Sequence, residues 1–250
     1  MLSCDALQVS LGTFALGPIT ACAQRGDVTV VVGPNASGKT TLLRAAAGVL
    51  RPHAGTVSVG NRPLHTWNRG QLASQLAFVD QHIAADVPLS VEQVVSLARL
   101  RRSNTAESAR RIAQAMAALS LDDLRHRPLG ALSVGQRQRV HLARALAQID
   151  SDGVLVLDEP TAPLDPDWSC RVWGLLRAFA QDGGSVLASV HDLPAASVVA
   201  NAAWLINGGQ LVASGAQDDM LCPESLASLF GVPFAALGDG SLPVPAWLTA

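Results

Sequence analysis

At 250 residues and 49% hydrophobic content, the chain can build one large domain or two small ones around a substantial core. A net charge of −2 on only 15% charged residues offers no basic field to a polyanion, which excludes nucleic acid as the main partner. Cys4, Cys22, Cys170 and Cys222 form no C-x-x-C pair, arguing for a reducing compartment over a zinc site or disulfide framework; no Lys or Arg precedes Arg25, and no apolar run reaches membrane-span length, so a soluble cytoplasmic protein is expected.

In chain order, Leu7 to Leu16 predicts an irregular first strand pair broken at Gly12, and Gly17-Pro18 predicts a turn. After a second turn at Arg25-Gly26-Asp27, the unbroken valines of Val28–Val32 predict a strand covered on both faces. A glycine-bounded loop follows, then a helical pattern closing at Gly48. Strands are expected at Thr56–Val59 and Leu76–Val79, separated by the turn-rich Asn61–Gly70. From His82 the pattern turns helical. Ser90 and Gln93 make a capping box ahead of Val94, Val95 and Leu97, and Ala106–Leu119 puts Ile112, Met116 and Leu119 on one face. The β/α rhythm returns with strand Val154–Leu157, helix Trp168–Ala180, strand Ser185–Val190, helix Leu193–Ala200 and a hairpin across Asn207-Gly208-Gly209. The Gly- and Pro-rich tail after Gly231 is expected to be peripheral, and there is no internal repeat. The expected fold is α/β: a mainly parallel sheet, an N-terminal antiparallel β portion and an inserted α-helical subdomain. Residues 1–81 and 151–215 would form the core, 82–150 the helical segment and 216–250 a C-terminal tail.

The chemistry concentrates in the loop GPNASGKTT, which fits G-x-x-x-x-G-K-[ST] through Gly33, Gly38, Lys39 and Thr40 and lies between a strand and a helix as that motif requires. Backbone N–H groups of such a loop converge on phosphate, glycines let the chain approach it, and the new helix aims its positive end there. Pro34, Asn35, Ala36, Ser37 and Thr41 complete the nucleotide-binding set. Lys39 reaches the β- and γ-phosphates and Thr40 is placed to ligate Mg²⁺. Lys39 is also the one lysine of the chain, a compact ammonium where every other strong cation is arginine. Buried VLVLDEP ends in Asp158 and Glu159, whose side chains must diverge on a strand: Asp158 for the metal, Glu159 for polarising a water in line with the γ-phosphate. Alone, that pair could equally be a solvated turn. LSVGQ likewise reads as a capping box, Ser133 and Gln136 opening a helix over Val134–Ile149, a second candidate phosphate site. His191 alone would be an ordinary strand-end histidine.

Taken together, GPNASGKTT, Gln81, LSVGQRQR, LVLDEP, APLD at Ala162–Asp165 and SVHD resemble the Walker A, Q-loop, signature, Walker B, D-loop and H-loop of an ATP-binding-cassette ATPase, in that order, from Val28 to Gly215. The resemblance implies a P-loop NTPase (RecA-like) core, ATP and Mg²⁺ as cofactors, Thr40, Gln81 and Asp158 at the metal, Glu159 as the catalytic carboxylate, and His191 on the γ-phosphate. Gln81 would couple the metal site to the helical insert. Two copies would pack head to tail, with Asp165 at the interface and each ATP sandwiched between one copy's loop and the other's Ser133, Val134, Gly135 and Gln136. That family usually has LSGGQ, so Val134 stands where glycine is usual, and a positive φ there would be costly. It also usually stacks adenine on an aromatic, and Phe14 is the one early aromatic here. LGPIT, NRPLHTW and WLINGGQLVASG are similar to ATPase subunits of importers for vitamin B12, iron–siderophores and haem, the short N-terminus most like the B12 type. Transmembrane permease subunits and a periplasmic substrate-binding protein are the implied partners, at the cytoplasmic face of the membrane. The helical insert, with Val87, Leu89, Val91, Val94 and Leu97 apolar, is expected to carry the permease contact. A soluble cassette ATPase acting on nucleic acid or ribosomes is the alternative, but the duplicated cassette, coiled-coil insert or basic stripe expected of it is missing. A P-loop kinase would not need LSVGQ before LDEP.

Overall fold

Alternating burial along the first residues makes a hairpin of β1 (Leu2–Leu11) and β2 (Phe14–Ala23), with Leu2, Cys4, Leu7 and Val9 facing inward. The computed structural model describes residues 1–81, 88–100, 104–237 and 242–246. Gly17-Pro18 is not the predicted turn: it lies within β2 as a cis peptide, and pairing with β1 continues past it to Ala23. β3 (Val28–Val32) is buried at every position, and the glycine loop leads from it into α1 (Lys39–Ala46). β4 (Ala54–Val59) returns to pair with β1 and carries the short β5 (Arg62–Pro63), giving an antiparallel sheet in the order β2-β1-β4-β5. The turn-rich stretch ends in α2 (Arg69–Gln75), capped by the Asn68 side chain, and runs into β6 (Leu76–Val79).

The described residues between β6 and the next strand carry α3 (Val91–Ser96), α4 (Thr105–Ala118) and α5 (Val134–Gln148). α3 and α5 open on complete capping boxes at Ser90/Gln93 and Ser133/Gln136, each satisfying two otherwise orphaned N–H groups. Met116 and Leu119 are fully buried and Ile112 packs beside them. Of the apolar positions expected to be spare for docking, Val91 and Val94 are buried in a core shared with the parallel sheet. Leu97 stays 42% exposed and is joined by Leu100 at 73%. Val87 lies outside the described residues.

β7 (Val154–Leu157), α6 (Pro166–Gln181), β8 (Ser185–Ser189), α7 (Leu193–Val199), β9 (Ala202–Asn207) and β10 (Gln210–Ala216) complete a six-stranded sheet, ordered β10-β9-β3-β8-β7-β6 and parallel except at β10. α6 begins two residues earlier than predicted because Asp165 caps it and Pro166 suits the first helical position. α8 (Gln217–Met220) and α9 (Pro223–Phe230) were not anticipated, and the tail is not peripheral: β11 (Phe234–Leu237) pairs with β12 (Leu242–Pro245), which lies against α7 and buries Val244.

Strand alternation in the parallel sheet divides the core. Val28, Val30, Val32, Leu155 and Leu157 face the side covered by α5, α6 and α7, whereas Val31, Val154, Val156, Leu187 and Trp204 face α1 and the antiparallel sheet. A strand buried on both faces needs no polar alternation, which explains the valine run and fixes the loop after β3 at the carboxyl end of the sheet. No described helix is long and apolar enough to cross a membrane.

Candidate functional site

The loop after β3 is held where only glycine fits. A Cβ on Gly33 would lie 2.0 Å from the Ile206 carbonyl oxygen, and Gly38 caps α1 with φ of 107°. α1 has no side-chain cap and no acidic residue in its first turn, so its leading N–H groups and positive end are left for an anion. Lys39, 6% exposed, donates from Nζ to the carbonyl oxygens of Gly33 at 2.8 Å and Pro34 at 3.0 Å, spanning the loop. Burial pulls its pKa below the usual lysine value, while Glu159 and Asp158 oppose that shift.

Asp158 and Glu159, just past β7, point apart. Asp158 is fully buried: Ser189 Oγ donates to its Oδ1, and its Oδ2 is buried without a hydrogen-bond partner. A carboxylate oxygen left in that state is costly unless a cation meets it. Among the described residues no three His, Cys, Asp or Glu side chains gather into a metal cage, so a divalent ion here would share its coordination with phosphate and water, the habit of Mg²⁺. The hydroxyl of Thr40, the amide oxygen of Gln81 and Asp158 Oδ2 are all hard oxygen donors and fit that ion. Glu159 adopts φ of 49°, which turns its side chain toward the loop. Its Oε2 accepts from Gln81 Nε2 at 2.7 Å, its Oε1 meets His191 Nε2, and its own N–H donates to Ser189 Oγ at 2.9 Å. Ser189, bonded to both members of the acidic pair, escaped the sequence reading. Its one signal was a hydroxyl at the carboxyl end of a buried strand, two residues before His191.

Residues 35–41, Gln81, Glu159 and His191 line one open cavity of about 670 Å³, with Leu11 and Phe14 from the hairpin tip as its apolar wall. Phe14 packs on the loop itself: a Cβ on Gly38 would come within 2.9 Å of its ring. The Ser133–Gln136 turn and Asp165 do not line this cavity. Val134 starts α5 with an ordinary helical backbone and a side chain 60% exposed, so the strain expected of a positive φ at valine does not arise. It is Gly135 whose lack of a side chain is required, because a Cβ there would sit 2.9 Å from the Pro163 carbonyl oxygen. Two further residues tie α5 to the segment 160–168. Gln138 Nε2 donates to the Pro160 carbonyl at 3.0 Å, and the Arg139 guanidinium stacks 3.9 Å from the Trp168 ring centroid while donating to the Leu119 carbonyl. Asp165 is exposed, and its Oδ1 accepts from the Trp168 N–H as the cap of α6.

A glycine loop opening a helix at the carboxyl end of a parallel sheet, with a lysine, a buried aspartate and a glutamate gathered on it, defines a P-loop nucleoside triphosphatase. Residues 16–162 match the ABC transporter family. Over 249 residues the chain is 34% identical to the hemin import ATP-binding protein of Rhodopseudomonas palustris strain BisB5, covering 94% of each, and over 237 residues it is 37% identical to that of Pseudomonas entomophila strain L48, covering 93% of each. A solved ABC transporter described as of metal-chelate type, in an inward-facing conformation, superposes with a TM-score of 0.79 at 28% identity, covering 98% of this chain and 96% of that one. The chain belongs to the ABC transporter family as an ATP-binding subunit, an ATPase.

Proposed function

We propose that this subunit hydrolyses Mg-ATP to drive import of haem or a related iron chelate. Supporting the reading is the likeness, along more than nine-tenths of the chain, to hemin import ATP-binding proteins. Haem is favoured over vitamin B12 as the cargo because both relatives named above are described as hemin import proteins. In this reading Gly33 to Thr41 cradle the phosphates, with Lys39 leaving the loop carbonyls for the β- and γ-oxygens. Thr40, Asp158 and the Gln81 amide oxygen hold Mg²⁺, which when bound neutralises charge on the phosphates. Glu159 accepts a hydrogen bond from the attacking water and aims it in line, and His191, already on Glu159 Oε1, positions that carboxylate and reaches the γ-phosphate. A second copy packs head to tail and supplies Ser133, Val134, Gly135 and Gln136 to the open side of the nucleotide, with Asp165 at the interface. The division into a core of 1–81 and 151–215, a helical unit of 82–150 and a tail of 216–250 belongs to the same proposal. The helical unit, through Leu97 and Leu100, docks permease subunits at the cytoplasmic face, in a complex with a periplasmic substrate-binding protein.

Growth of the source organism on hemin as sole iron supply tests this. Loss of the chain should abolish that growth, and the wild-type chain but not Glu159→Gln should restore it. Unchanged growth on hemin, alongside impaired use of vitamin B12 or a siderophore, would move the cargo elsewhere.

A further inference from the structure

β8 lies between β3 and β7 in the parallel sheet, between the strand that launches the phosphate loop and the strand that delivers Asp158 and Glu159. Its last residue, Ser189, is fully buried and pairs with Val31 of β3, one residue before that strand ends. We propose that Ser189 is a positioning residue for ATP hydrolysis, whose hydroxyl locks the backbone of Glu159 in the conformation that turns its carboxylate toward the phosphate loop.

Glu159 does not favour that conformation by itself. Its φ of 49° lies in the left-handed region, which a non-glycine residue rarely enters, and the ring of the following Pro160 pushes the residue before it toward extended backbone. Gln81 and His191 meet only the two carboxylate oxygens, and both of those residues are exposed. Ser189 takes hold further back, accepting the Glu159 N–H at 2.9 Å. A hydroxyl has one proton to donate, and Ser189 donates it to Asp158 Oδ1, which leaves its lone pairs facing the glutamate. The buried charge of Asp158 polarises that hydroxyl into a better acceptor. Ser189 and Asp158 are both 0% exposed, so water does not compete for either bond. One side chain therefore ties the aspartate proposed for the metal to the glutamate proposed for the attacking water, and it stands on the strand that sets their spacing from the phosphate loop.

The inference rests on the role given above to Glu159. Ser189→Ala, Ser189→Cys and Ser189→Thr are compared in the full chain by Mg²⁺-free ATP titration and by steady-state ATPase, at a temperature below every melting midpoint. In the alanine and cysteine variants, which lack the hydroxyl, kcat should fall by about 100-fold, the cost of misplacing a catalytic group by about 1 Å, while KM and Mg²⁺-free ATP affinity move less than about two-fold. Ser189→Thr returns the hydroxyl and should recover most of that loss. In the Glu159→Gln background, adding Ser189→Ala should change turnover by less than about two-fold, because Ser189 acts through the charge already removed. A merely structural role would cost the same factor in both backgrounds. Equal losses in the two backgrounds overturn the inference, as does wild-type kcat in Ser189→Cys. Wild-type turnover in Glu159→Gln overturns the role of Glu159 and this inference with it, whereas a loss there beside wild-type kcat in Ser189→Ala overturns this inference alone.

Discussion

At the phosphate loop the chain holds its charged side chains in place and leaves the leading N–H groups of α1 and Asp158 Oδ2 for a ligand. Lys39 is buried against two carbonyls, and Ser189 bonds both Asp158 and the Glu159 N–H. At the Ser133–Gln136 turn the capping box satisfies the backbone, but Val134 projects into solvent, Asp165 nearby is exposed, and neither lines the nucleotide cavity. One region is a preformed half-site that organises charge by burial. The other is a finished local structure whose Val134 side chain faces outward.

The sharpest way to break this contrast is Glu159→Gln, which keeps shape and loses charge. Turnover at saturating Mg-ATP should fall by about 100- to 10,000-fold, the range of a positioned general base, while ATP affinity is unchanged. Comparable turnover in the two proteins would remove Glu159 from that role. Lys39→Ala should weaken ATP binding by about 10- to 100-fold, as expected when a charged hydrogen-bond donor worth about 1.5–3 kcal/mol is lost. A titration showing wild-type affinity would count against the loop assignment.

On the other side of the comparison, Gly135→Val forces a branched side chain onto the Pro163 carbonyl and should lower unfolding stability by about 1–3 kcal/mol, read from the urea midpoint. An acid-sensitive contribution comes from His141 in α5. Its Nε2 is buried without a partner, and burial first, then Arg144 and Arg137, push its pKa down to about 4. The folded state holds it neutral. Its contribution is therefore complete above the unfolded value of about 6.5 and is lost as pH falls toward 4. The urea midpoint should drop across that window, and less so in His141→Gln. A parallel drop in both would assign the loss to other groups. Smallest of all, Val134→Gly should cost at most about 1 kcal/mol of helix stability, yet strengthen ATP-driven dimerisation of the Glu159→Gln chain. Sedimentation showing no gain in dimer would mean the valine side chain stands clear of the partner.

Much of this architecture was legible because it is local. The valine run, the glycine loop, the two capping boxes and the Asn207-Gly208-Gly209 hairpin are each written within a few residues, and the structure places each at its expected position. What misled was non-local. Gly17-Pro18 reads as a turn until β1 is seen to pair on both sides of it across a register shift, and the tail reads as peripheral until β12 finds α7. Ser189 went unnoticed because its partners lie 30 and 31 residues away in sequence. Val134 was misjudged differently: a departure from a familiar motif suggested backbone strain, whereas its helical φ leaves only its side chain in question.

The ties from Gly135, Gln138 and Arg139 to Pro163, Pro160 and Trp168 make the first turns of α5 and the strap entering α6 one rigid lever. Glu159 forms the root of that strap. A displacement of α5 is therefore carried along the chain toward that glutamate.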